Sequence, residues 1–111
     1  MPPSPPIMTP AVYQILLSLA DTDRHGYGVM QEVEARTRGE VSLGPGTLYR
    51  SIKRLLKAGL IEGVQDPAEG GGDDDRRRVY RITPAGRNAL QEEARRLERL
   101  VAHAQLKRVI G

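Results

Sequence analysis

The stretch from Gly44 to Gly59, GPGTLYRSIKRLLKAG, constrains the fold more than any other part of the chain. Gly44-Pro45 offers a cap and a first helical residue, and Gly59 offers a stop. The segment between them, Pro45 to Ala58, amounts to about four helical turns. At 100° per residue, Leu48, Ile52, Leu55 and Leu56 fall on one face. Thr47, Arg50, Arg54 and Lys57 fall on the opposite face, with Lys53 at its edge and Tyr49 at the boundary. No acidic residue interrupts the cationic side. A helix divided in this way buries its leucine stripe and presents its cations to whatever meets the other side.

The flanking segments supply the core that such a helix needs. Thr9-Pro10 reads as an N-cap followed by proline at the first helical position, and Val12, Ile15, Leu16 and Leu19 recur at helical spacing. A polar stretch, Asp21 to Gly26, leads to a second helix from Tyr27 to about Arg38, with Val29, Met30 and Val33 on its buried side and Gly39 as its stop. After Gly59 the period changes. Leu60 to Gln65 and Arg78 to Thr83 read as strands of a β-hairpin, and DPAEGGGDDDRR between them as its loop. A short third strand is placed around Val41. Thr83-Pro84 repeats the cap-plus-proline signal, so a last helix runs from Pro84 to about Val109, roughly 39 Å at 1.5 Å per residue.

The expected fold is therefore mainly α with a small β-hairpin: a winged helix-turn-helix plus a long C-terminal helix. Residues 1–8 read as a disordered proline-rich tail, 9–83 as a DNA-binding winged helix, and 84–111 as a dimerisation helix. The last helix is longer than so small a domain can cover. Its stripe of Leu90, Ala94, Leu97, Val101 and Ala104, widened by Leu100, is a seam for a second helix, and the expected partner is a second copy of the chain.

Charge and composition narrow the function. A net charge of +3 over 111 residues permits a polyanionic partner, and a chain without cysteine holds neither disulfide nor cysteine-ligated zinc. No metal site is expected: Asp73 to Asp75 lack the spaced ligands of a calcium loop, and His25 and His103 lie far apart. Gly44 to Gly46 start a helix with no GK[ST] after them, so no phosphate-binding loop is read there. No cofactor is implied, and an enzyme is disfavoured because no nucleophile carries an activating motif. No apolar run approaches a membrane span and the N-terminus lacks signal-peptide character, so a cytoplasmic protein with no membrane partner is expected.

Four segments carry a family resemblance: HGYGV (His25 to Val29), GTLY (Gly46 to Tyr49), RLLKAGLI (Arg54 to Ile61) and RRRVYRITPAG (Arg76 to Gly86). In type, order and spacing they resemble the PadR family of winged-helix transcriptional regulators, over roughly residues 9 to 90. The resemblance implies binding to double-stranded DNA, dimerisation through C-terminal helices of the short kind, and a place for Tyr49 at DNA phosphate. Arg50 stands where the family often has proline and Leu56 where it often has glutamate, so no operator sequence carries over. The candidate DNA-binding residues are Thr47, Tyr49, Arg50, Lys53, Arg54 and Lys57 on the third helix and Arg76, Arg77 and Arg78 at the wing. The expected function is a homodimeric, sequence-specific repressor acting on a near-palindromic operator and responding to an unidentified small molecule or other signal. The alternative is a winged-helix protein-interaction module whose basic face meets an acidic partner.

Overall fold

The computed structural model describes residues 8–64 and 78–111. Within them the elements run α1 (Pro10–Ser18), β1 (Arg24–His25), α2 (Gly26–Arg36), α3 (Pro45–Lys57), β2 (Ile61–Val64), β3 (Val79–Ile82) and α4 (Pro84–Leu106). The expected hairpin loop over 66–77 lies outside the described residues, as do residues 1–7 of the expected tail. Met8, assigned to that tail from sequence, is half-buried and packs against the core.

Helix starts fall where local chemistry places them. Thr9 caps α1, its Oγ1 accepting from the Val12 amide at 3.1 Å, and Thr83 caps α4, its Oγ1 accepting from the Gly86 amide at 3.0 Å. Each cap satisfies one of the amides that a helix N-terminus leaves without a carbonyl, and each is followed by a proline whose missing N–H costs nothing there.

Helix ends are shorter than expected at two places. At the end of α2, Arg38 already takes the left-handed conformation (φ 53°), and the Gly39 amide closes back on the Glu34 carbonyl at 2.8 Å. Arg108 does the same after α4 (φ 60°), with the Val109 amide on the Ala104 carbonyl at 2.9 Å. Both are six-to-one closures that use arginine where glycine is the usual residue. At the end of α3 that residue is glycine: Gly59 sits at φ 75°, and the Leu60 amide returns to the Leu55 carbonyl at 3.0 Å.

The core gathers one face from every major element. Val12, Ile15, Leu16 and Leu19 meet Val29 and Val33, Leu48, Ile52 and Leu55, and the strand residues Leu60, Ile61, Tyr80 and Ile82, with Leu90 completing the cluster. Burying each large aliphatic side chain contributes about 2 kcal/mol. Ser18 is buried among them, with its hydroxyl donating to the Ile15 carbonyl at 2.7 Å so that no polar group is stranded.

The sheet has three antiparallel strands in the order β1-β3-β2. Ile61 pairs with Ile82 and Val64 with Val79, while Arg24 pairs with Tyr80 on the other edge of β3. The third strand is therefore at Arg24–His25 and not around Val41. Thr37 explains the difference, because its hydroxyl donates to the Val33 carbonyl and accepts from the Val41 amide, folding that segment into a turn behind α2. The strand at 24–25 is anchored by Arg24, which donates to the Ser18 carbonyl at 2.8 Å, and by the neighbouring Asp23–Arg81 ion pair at 2.9 Å.

The result is a mainly helical chain with a small antiparallel sheet, the winged-helix arrangement expected from the sequence. The first turns of α4 pack on α1 and β3, and Leu90 is 8% exposed. Beyond Leu90 the helix contributes nothing more to this core, and Leu100 and Val101 are nearly half-exposed.

Candidate nucleic-acid interface

The two faces of α3 separate as the wheel predicts. Leu48, Ile52 and Leu55 are buried, whereas Thr47, Arg50, Lys53, Arg54 and Lys57 are all exposed. Leu56 is only half-buried, and Ser51 takes a buried place that a reading by hydrophobicity passes over. Among the described residues none of these four cations is in an ion pair, and Arg50 makes one weak hydrogen bond, from Nε to the Gly46 carbonyl at 3.3 Å. The Arg50 side chain is otherwise exposed. Arg54 and Lys57 also stand in the last turn, where a cation is favoured by the helix dipole. That local benefit does not account for Arg50 and Lys53, which lie before that turn.

Tyr49 occupies the boundary between the faces and is half-buried. Its ring lies against the start of α2: a Cβ added at Gly26 would stand 3.0 Å from the tyrosine hydroxyl and 3.2 Å from a ring carbon. Gly26 thus leaves the space in which the ring seats, a link between HGYG and GTLY that the spacing of the motifs does not reveal. The first turn of α2 and the early part of α3 are brought together there, and the adjacent Tyr27 is 62% exposed.

The wing is described only at its root. Arg78 is exposed, with its side chain lying beside Gly63 across the hairpin, and Arg76 and Arg77 lie outside the described residues. Arg81, three residues further on, is committed to Asp23 and is paired with Glu62 across the strands. Hydrogen bonding to Asp23 holds its guanidinium more firmly charged than usual. Of the expected seam residues, Leu90 belongs to the core of its own chain, Leu97 and Ala104 are half-buried, and Ala94, Leu100 and Val101 are exposed. Glu93 and Arg96 close an ion pair at 2.6 Å beside that stripe, and this contact holds the Glu93 carboxyl below the usual carboxylate range.

Among the described residues no group of three or more His, Asp or Glu side chains could hold a metal, and no helix is long and apolar enough to cross a membrane. Asp73 to Asp75 lie outside the described residues.

A family model described as "Transcriptional regulator PadR-like family" matches residues 15–92. The transcriptional regulator Rv3488 of Mycobacterium tuberculosis is 43% identical over 86 residues, which span 78% of this chain and 74% of that one. Among solved structures, a transcriptional regulator from Clostridium thermocellum superposes with a TM-score of 0.72 at 28% identity, covering 90% of each chain. A PadR family transcription regulator from Clostridium difficile shares the fold, with a TM-score of 0.70 at 23% identity over 86% of this chain and 95% of that one.

Proposed function

This chain belongs to the PadR-like family of transcriptional regulators, and from that premise we propose that it binds double-stranded DNA as a homodimer, with α3 reading the major groove. It is a regulator and not an enzyme. The observation that carries the proposal is the outward face of α3, where Thr47, Arg50, Lys53, Arg54 and Lys57 are exposed together without an acidic partner among the described residues. Arg50 is the candidate for a bidentate contact to a guanine edge, and Thr47 for a phosphate or a thymine methyl. Lys53, Arg54 and Lys57 contact backbone, as do Arg76, Arg77 and Arg78 at the wing. Tyr49, seated against α2, reaches phosphate from the side of the helix.

In this reading residues 9–83 form the DNA-binding unit and 84–111 the dimerisation helix, joined to a second copy through Ala94, Leu97, Leu100, Val101 and Ala104. Two reading helices related by a two-fold axis meet a near-palindrome with half-sites about one helical turn apart. The protein acts as a cytoplasmic repressor whose occupancy responds to a small molecule or another signal.

The test is selection of bound fragments from the source genome, followed by titration of the recovered duplex at several salt concentrations. The expected outcome is a near-palindromic motif, with affinity that falls linearly with salt on logarithmic axes and exceeds that for random duplex by at least about a thousandfold. Recovery of no motif, with salt-sensitive binding to an acidic protein surface in its place, would support the protein-interaction role.

A further inference from the structure

One hydroxyl stands where α3, the root of the wing and α4 meet. The Thr83 Oγ1–H donates to the Gly59 carbonyl at 2.6 Å while the same oxygen accepts from the Gly86 amide at 3.0 Å. The Thr83 amide in turn donates to the Leu60 carbonyl at 3.0 Å. Gly59 and Leu60 are the two residues that close the end of α3, through the Leu60 amide on the Leu55 carbonyl. A single residue at the N-cap of α4 is therefore bonded to both residues of the turn that terminates the reading helix.

Packing tightens the same joint. Gly86 is buried in the first turn of α4, and a Cβ there would overlap the Leu60 carbonyl and lie 2.9 Å from Cγ1 of Ile82. The helix backbone thus rests directly on the backbone of the turn between α3 and β2, with the Ile82 side chain beside the contact. Close packing of this kind has low compressibility and transmits strain. Thr83 adds the directional bonds to the turn that ends α3, and Arg87, whose Nη2 donates to the Ala20 carbonyl at 3.1 Å, ties the same turn of α4 to the end of α1 instead.

We infer that Thr83 is a positioning residue for DNA reading: it fastens α4 to the C-terminal turn of α3, so that a displacement of α4 carries the reading helix with it. The inference rests on the proposed roles of α3 and α4. It gives the dimer a direct mechanical route from the far half of α4 to the spacing of the two reading helices, without a hinge in between.

The absence of cysteine from the chain makes the angle measurable. Lys53→Cys on α3 and Ala102→Cys on α4, both exposed positions, carry a spin-label pair. Mixing labelled protein with an excess of unlabelled chain confines the measured distance to one protomer. Thr83→Val removes both hydroxyl bonds at nearly constant volume, and Thr83→Ser keeps them. The expected result is a broader distance distribution for Thr83→Val, wild-type width for Thr83→Ser, and unchanged helix content by circular dichroism. Without labels, the Thr83→Val protein should bind the selected site about tenfold more weakly, with less than about a twofold change on random duplex. Thr83→Ala gives the same comparison if valine crowds the cap. An unchanged distribution in the hydroxyl-free variants overturns the inference, and so does a broadened one that leaves selected-site affinity intact. Should the unaltered protein bind no duplex, the DNA reading itself falls, while the distribution widths still report whether the joint holds.

Discussion

Arg50 and Lys57 share the exposed face of α3 two turns apart, about 10 Å along the axis, and that separation gives them different work on a duplex. The early turns of a reading helix reach deepest into the groove, so Arg50→Ala should cost about 1–3 kcal/mol on the selected site and relax discrimination at one base pair in each half. Lys57→Ala should weaken all sequences nearly equally and lower the salt slope, as loss of a phosphate contact does. Quantitative titration of both variants against selected and random duplexes separates the two roles. If both bind as the wild type does while folded and dimeric, α3 is not the reader. Gly86 makes a different kind of prediction, because an added Cβ there would overlap the Leu60 carbonyl, which is backbone, as well as crowd the Ile82 side chain. Gly86→Ala should lower stability by about 3 kcal/mol, at the upper end of the cost of overpacking, as read by urea denaturation. A loss below about 1 kcal/mol would mean that α4 can lift off the wing root without penalty.

At the scale of elements, the wing carries a prediction tied to its charge. Arg78 is exposed at its root, and neutralising it together with Arg77 should reduce affinity for every duplex alike and flatten the salt slope. An unaltered slope would leave the pair as solubilising residues of the hairpin. The helix starts were readable in advance because Thr9-Pro10, Gly44-Pro45 and Thr83-Pro84 are local chemical signals, complete within two residues. The faces of α3 are legible for Leu48, Ile52 and Leu55 and for the exposed cations from period and polarity, but not for the buried Ser51 or the half-buried Leu56. What could not be read depends on distant partners. Strand β1 is two residues long and exists because β3 offers a free edge to Arg24 and His25, and no local pattern announces it. The helices end early because Arg38 and Arg108 adopt a conformation usually signalled by glycine. Period likewise placed Leu90 on the same stripe as Leu97 and Val101, but it cannot tell a stripe covered by the chain's own α1 and β3 from one awaiting another chain.

The whole molecule is decided by what covers the outer half of α4. The helix extends about 34 Å, and its first turns are docked while Leu100 and Val101 remain nearly half-exposed and Leu106 lies 80% exposed near the end. In water such a stripe costs free energy, and a long helix without tertiary contacts on its apolar side is marginal. A second copy crossing at the same stripe would cover both at once, since a two-fold axis places identical apolar residues opposite each other. Leu97→Glu together with Val101→Glu sets charges into that seam on both chains, where burial without a partner is costly and like charges face like. Sedimentation should then show monomer, whereas the wild type should sediment as dimer at micromolar concentration. Because Leu90 and the α1 contacts lie in the protomer's own core, the charged variant should keep its helix content and unfold cooperatively. Its affinity for the selected palindrome should collapse toward that for random duplex, because each monomer can engage only one half-site and the second no longer binds at high effective concentration. A wild type that sediments as monomer under these conditions removes the dimer from the proposal, and a charged variant that still sediments as dimer moves the seam away from Leu97 and Val101.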